Sequence, residues 1–276
     1  MIVVGYLSMD RIVTETESYA CVPGGAALYA ALGARMAGAE VAMVAAAGED
    51  WPEAWTAALS ARGIDMGAVV RREGETRRAR LVYTAGDARH SGHHAEAAWW
   101  ERTAALAPPP VQARRGDVVV AAPMPAARLA RLIDEAGEAR VVADTSEAFA
   151  QAEGEALRAL LPRLAVFAPS TAEVAHLAGG DTASLLALCA TVVEKRGREG
   201  VIVHRRGHAP VPVAAPAAVT VDATGAGDAT VGALGGALAE GAEVREAARQ
   251  AVLVGALCVS GAGPEALGLA WREGLR

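Results

Sequence analysis

The chain has 276 residues, enough for one large domain or two small ones, and 53% are hydrophobic but only 4% aromatic, so its core must rest on Ala, Val and Leu. A net charge of −6 argues against a general nucleic-acid binder, no apolar stretch reaches the length of a membrane span, and Cys21, Cys189 and Cys258, without CxxC spacing, suit free thiols in a reducing cytoplasm. The single lysine, Lys195 in VVEKRGREG, excludes both a Walker-A loop and the VAIK lysine of protein kinases, which leaves backbone N–H groups and arginines as the main means of handling phosphate.

The opening MIVVGYLSMD lacks a basic n-region and reads as a first strand over 2–7, not a signal peptide. Residues 11–22, RIVTETESYACV, form a polar, β-rich excursion. GAALYAALGARMAG then reads as helix, VAMVAAA (41–47) as strand, and EAWTAALSARG as a helix ending on a C-cap glycine. A second excursion, 72–94, reads as strand, a turn at Gly86-Asp87, and strand, able to pair with the first in a small sheet over one end of the domain. Strand runs follow at 117–122, 140–144, 164–169 and 200–205, the first two separated by the helix AARLARLIDEAGE. Continuous β-branched runs suit a parallel sheet buried on both faces, and the alternation gives an α/β architecture with crossover helices. The last third reads as short strands at 209–214 and 217–221, then helices over about 225–240, 243–260 and 264–270.

Within that last third, VDATGAGDAT (221–230) sets Gly225-Ala226-Gly227 between a strand-like run and a helix, with Asp228 next. A tight strand-to-helix turn would need small residues for packing alone. The same arrangement also makes an anion site, because free N–H groups and the helix dipole favour phosphate and glycine lets it approach. A carboxylate beside bound phosphate can take the proton that an attacking hydroxyl must lose.

DATGAGDAT resembles the C-terminal signature of the ribokinase-like PfkB carbohydrate kinase family, and matching pieces run the length of the chain in order. PGGAALYAALGARMAGAEVAMVAAAGED (23–50) resembles the N-terminal signature, GYLSMD (5–10) the segment with a hydroxyl-binding aspartate, APSTAEVAHLAG (168–179) the Asn-x-x-Glu segment, and EKRGREGVIV (194–203) the Gly-x-x-Gly nucleotide region. The resemblance implies Asp228 as the base, with backbone N–H groups of Gly225, Ala226 and Gly227 holding charge on the transferring phosphoryl group. It implies Asp10, Gly24, Gly25 and Tyr29 at the substrate, and Ser170, Lys195, Gly197, Gly200 and Thr224 at the nucleotide. Glu173 would organise magnesium through waters. Two positions depart from the family pattern: Tyr29 and Ser170 each stand where asparagine is usual.

The implied fold is a ribokinase-like three-layer α/β sandwich, a single domain over 1–276 with lid segments inserted at about 11–22 and 72–94. The implied activity is transfer of the γ-phosphoryl group of ATP, with Mg2+, to a hydroxyl of a sugar or polyol. A nucleoside kinase is the alternative within the family, and a non-catalytic ligand-binding relative lies outside that class. A dinucleotide-dependent oxidoreductase is disfavoured, because no GxGxxG follows the first strand. Donor preference and any monovalent-cation requirement stay open, and lid-to-lid pairing of exposed strands offers a route to a homodimer. Of the remaining features, His90, His93 and His94 read as solvated loop residues, and Arg71, Arg72, Arg77, Arg78 and Arg80 as an exposed basic run. Trp51, Trp55, Trp99 and Trp100 read as packing for the lid, Cys258 as a small core residue, and Asp144 equally as a ligand residue at the sheet edge or a helix N-cap.

Overall fold

The computed structural model describes residues 1–14, 17–84, 88–91 and 104–271. Its strands, in chain order, are β1 (Ile2–Val4), β2 (Ser8–Val13), β3 (Ser18–Gly24), β4 (Val41–Gly48), β5 (Ile64–Arg72), β6 (Arg77–Thr84), β7 (Ala88–Ser91), β8 (Val118–Ala121), β9 (Arg140–Ala143), β10 (Val166–Phe167), β11 (Thr191–Lys195), β12 (Val201–Arg205) and β13 (Val211–Val213). The helices are α1 (Ala26–Met36), α2 (Glu53–Ala61), α3 (Ala126–Ala136), α4 (Glu147–Ala152), α5 (Gly154–Leu160), α6 (Thr171–Ala178), α7 (Thr182–Leu188), α8 (Ala226–Ala239) and α9 (Val244–Cys258).

Nine strands form the main sheet in the order β13-β12-β11-β10-β9-β8-β1-β4-β5. From β5 to β11 every pairing is parallel; β12 and β13 extend the sheet antiparallel. Parallel strands need both faces covered, which is why VVVA of β8 is buried throughout. One face packs against α1, α8 and α9 through Leu28, Leu32, Val231, Leu234 and Val252. The other packs against α3 to α7 through Leu129, Ile133, Phe149, Leu157, Leu177 and Leu185. Because α8 lies between α1 and α9, its buried residues include Ala229, Val231, Ala233 and Leu234, more than one stripe of the helix. Parallel pairing also brings the C-terminal ends of β1, β8, β9, β10 and β11 to one edge, where ligands bind in open α/β sheets.

The two polar excursions meet in a second sheet of order β3-β2-β6-β7. Its central pair is parallel, with Ser8 opposite Arg77, Asp10 opposite Ala79 and Ile12 opposite Leu81. Side chains alternate across a strand, so Asp10 and Ile12 are buried while Arg11 is exposed. Trp51 and Trp55 are core residues with rings edge-to-face at 5.1 Å. Trp99 and Trp100 lie outside the described residues, as do the Gly86-Asp87 turn, His93 and His94; His90 falls in β7.

Two expectations change, and one strand is added. The strand expected at 217–221 does not form: Val219 is exposed, and Val221 N–H instead donates to Val259 O at the end of α9. The helix expected at 264–270 is a single 3-10 turn, Glu265–Leu267, closed by Gly268 at φ 83°. Residues 64–72 form edge strand β5. Among the described residues no helix is long and apolar enough to cross a membrane.

Candidate active site

The VDATGAGDAT segment forms a braced turn into α8. Asp222 is buried, and its Oδ1 accepts the Thr224 N–H at 2.9 Å while Oδ2 accepts the Gly263 N–H at 2.8 Å. Thr224 Oγ1 donates to the Tyr83 hydroxyl at 2.8 Å, tying the turn to β6. Gly225 then caps α8 at φ 74°, a left-handed conformation that glycine adopts without steric cost. A Cβ at this position would overlap the Tyr29 ring. Gly227 and Asp228 follow in the first helical turn, where backbone N–H groups have no intrahelical acceptor and the dipole is positive. The Ala226 N–H is already turned toward Ala223 O at 3.4 Å, so the anion-facing role falls most on Gly227 and its neighbours.

A cavity of about 470 Å³ opens in front of this turn and has Asp228 on its wall. From β2 comes Asp10, 4% exposed, with no hydrogen-bond partner for Oδ1. Burial pushes its carboxyl up to about 7, although hydrogen bonds from Ser8 and the Ala79 backbone favour the charged form. Gly24 is not on the cavity wall; it makes room for Asp10, since a Cβ there would overlap the Asp10 carboxylate. Gly25 does line the cavity. Tyr29 lines it too, its ring packed beneath Gly225 and its hydroxyl buried without a partner. Burial raises the Tyr29 pKa well above the ordinary value, so the phenol stays neutral.

The C-terminal edge of the main sheet supplies a charged wall. Lys195 Nζ donates to Asp144 Oδ1 at 2.6 Å and Oδ2 at 2.7 Å, and the Thr145 N–H donates to the same carboxylate at 2.8 Å. Burial alone would lower the lysine's pKa, but Asp144 and Glu173, with Asp228 further off, raise it, so the ammonium persists. Lys195 also overhangs the turn: a Cβ on Gly227 would sit 3.6 Å from its Nζ. Ser170 caps α6 in a capping box, where Glu173 Oε2 accepts the Ser170 N–H at 2.6 Å and Ser170 Oγ accepts the Glu173 N–H at 3.3 Å. Asp144 is not a helix N-cap; that place before α4 is taken by Ser146. Gly197 lines the cavity, whereas Gly200 is off its wall and packs against the backbone of Val213–Ala215.

The far wall holds an arginine that the exposed reading of its sequence run did not anticipate. Arg77 is 3% exposed and its guanidinium carbon lies 3.6 Å from the centroid of the Tyr6 ring. Burial lowers its pKa to about 10, which still leaves it charged at neutral pH. The neighbouring Arg78 points the other way, to Asp50 at the surface. Tyr83 and Asp222 were likewise not identified from sequence, although the first aspartate of DATGAGD offered a signal for Asp222.

A family model described as pfkB family carbohydrate kinase matches residues 1–269. The chain belongs to this family. Its members are phosphotransferases with hydroxyl acceptors, and this chain is a ribokinase-like kinase in fold and class. Across 263 residues it is 26% identical to a cytidine kinase of Thermococcus kodakarensis, covering 90% of this chain and 92% of that protein. A nucleoside kinase of Burkholderia thailandensis, solved in complex with inosine, superimposes with a TM-score of 0.78 at 18% identity, over 96% of this chain and 92% of the other. A Methanocaldococcus jannaschii nucleoside kinase gives 0.78 at 17% identity, over 95% and 92%. The structural likenesses show a pfkB-type fold.

Proposed function

We propose that this protein is an ATP-dependent nucleoside kinase that phosphorylates a hydroxyl of the ribose. The observation that carries the reading is one cavity with two kinds of wall: the Gly225–Asp228 turn on one, and Asp10 with aromatic Tyr6 and Phe149 on others. A free sugar needs the first wall and Asp10, whereas flat aromatic surfaces suit a heterocycle attached to that sugar. The 26% identity to a cytidine kinase supports the same choice.

In this reading Asp10 accepts hydrogen bonds from ribose hydroxyls. Asp228 takes the proton from the attacking hydroxyl as its oxygen bonds to the γ-phosphorus and the bond to the ADP oxygen breaks. N–H groups at the start of α8 hold the charge on the phosphoryl oxygens. Lys195, fixed by Asp144, faces the same phosphates. Among the described residues no three Asp, Glu, His or Cys side chains group as a metal cage. Magnesium requires none, since it keeps several waters and takes one or two carboxylates plus substrate phosphates. Glu173, on the cavity wall beside the Asp144–Lys195 pair, fits that need, and the ion would neutralise phosphate charge there.

The test is ADP release with Mg2+ and ATP over a panel of nucleosides, pentoses, hexoses and polyols. Turnover of nucleosides well above that of free sugars is the expected result. Turnover of sugars or polyols alone would return the assignment to a carbohydrate kinase.

A further inference from the structure

Resting on the kinase reading but on no particular acceptor, we infer that Lys195 is a catalytic residue whose ammonium bonds the phosphoryl group in flight. Asp144 is then the positioning residue that holds it there.

The pair spans the floor of the cavity. Asp144 directly follows β9 and Lys195 ends β11, so β10 lies between them. Their backbones are about 10 Å apart, two strand spacings. The lysine backbone is pinned, since its N–H donates to Pro169 O at 2.7 Å. Its side chain therefore reaches across the C-terminal end of β10 to meet Asp144 Oδ1 at 2.6 Å and Oδ2 at 2.7 Å. That course carries Nζ over the start of α8, 3.6 Å from where a Cβ on Gly227 would stand. A phosphate oxygen held by the α8 N–H groups would lie within reach of the ammonium.

An ammonium has three N–H donors. Asp144 takes at most two of them, and among the described residues Nζ has no second acceptor. The Lys195 side chain keeps 12% exposure on the cavity wall, against 2% for Asp144, so the open side of the pair is the lysine.

Charge at this end of the cavity gives the lysine its task. Asp144, Glu173 and Asp228 line the wall with three carboxylates, and a nucleotide brings further negative charge. Lys195 and Arg77 are the cations among the described residues of the wall, and Arg77 stands on the lid side, against Tyr6. For stability alone, an apolar pair would serve as well as a buried ion pair. Phosphoryl transfer gives the charge a use. As the acceptor oxygen bonds to the γ-phosphorus and the bond to the ADP oxygen breaks, negative charge spreads over the phosphoryl oxygens. Asp228 takes the acceptor's proton, while Lys195 keeps its own and donates a hydrogen bond. A lysine stem is flexible. Asp144 removes that freedom beforehand, so the donor needs no reorganisation when the charge develops.

The experiment measures kcat, KM for ATP and Tm for wild type, Lys195→Met, Asp144→Asn and the double variant, with Mg2+ and the acceptor that wild type turns over fastest. Lys195→Met should lower kcat by on the order of 10²- to 10³-fold, as loss of a preorganised donor does, with KM for ATP changed only a few-fold. Asp144→Asn should cause a smaller fall in kcat. The double variant should be no slower than Lys195→Met, because Asp144 acts through the lysine and has nothing to position once it is gone. If Lys195→Met fails to fold around an uncompensated Asp144, the double variant, neutral and nearly isosteric, carries the same test. Near-normal kcat in either lysine variant, a rise in KM for ATP alone, or a double variant slowed by the product of the single losses overturns the inference and leaves the kinase reading standing. A wild-type enzyme that phosphorylates no acceptor overturns both.

Discussion

Gly227→Ala should separate the chemistry of the anion turn from its architecture. Gly227 lies within α8 with an ordinary helical φ, is exposed, and has only Lys195 Nζ, at 3.6 Å, near the place where a Cβ would go. Alanine is preferred to glycine within a helix by about 0.5–1 kcal/mol. For a domain of this size that corresponds to a Tm increase of about 1–4 °C. The new methyl would occupy the space through which phosphate oxygens approach the α8 N-terminus. Losing one preorganised donor of this kind typically costs on the order of 10²-fold in kcat. Differential scanning calorimetry and steady-state ADP release on the same preparation give both quantities. A stabilised but slow enzyme is expected. A stabilised enzyme with normal kcat would show that no phosphate comes to Gly227, and a lower Tm would refute the open space around its Cα.

Asp228→Asn should lower kcat by about 10²- to 10⁴-fold, the usual cost of removing a general base, with Tm and nucleotide affinity preserved; near-normal kcat in the folded variant would remove Asp228 from the proton transfer. Asp10 gives a pH prediction: its folded-state value of about 7 lies above the roughly 3.9 of an unfolded aspartate, a gap worth on the order of 4 kcal/mol. The stability this group contributes is present below about pH 4 and is lost as pH rises through about 7. Asp10→Asn should therefore flatten the decline in Tm across that window, and parallel wild-type and variant curves would contradict the buried carboxyl. Tyr83→Phe removes the bond from Thr224 and should lower stability by about 1 kcal/mol, with a fall in kcat milder than that of Asp228→Asn; an unchanged Tm and kcat would mean that β6 does not brace the turn.

What the sequence made legible was local and apolar, or local and glycine-rich. The buried parallel strands announce themselves because both faces are covered, so runs such as VVVA carry no polar residue. The turn at Gly225–Asp228 is equally plain, since its conformation and its chemistry depend on consecutive residues. β5 was missed because an edge strand has one uncovered face: IDMGAVVRR keeps Ile64 buried but exposes Asp65, Gly67 and both terminal arginines. The short helices α4, α5 and α7, six or seven residues each, offer too few turns for a periodic signal. Arg77 was hidden by its company. In RRARLVYT, two adjacent arginines look alike, and only the pairing of β6 with β2 decides that Arg77 enters the cavity while Arg78 reaches Asp50. The site residues least visible in sequence are those that depend on long-range register.

The Asp144–Lys195 pair has a practical corollary for anyone handling the protein. Lysine occurs once in the chain, and it is the buried ammonium held by Asp144. Amine-directed reagents, which ordinarily scatter over a protein's lysines, have one lysine to find in this sequence, and the ion pair with Asp144 shields it. Labelling of that side chain would therefore report that the Lys195–Asp144 pair had opened.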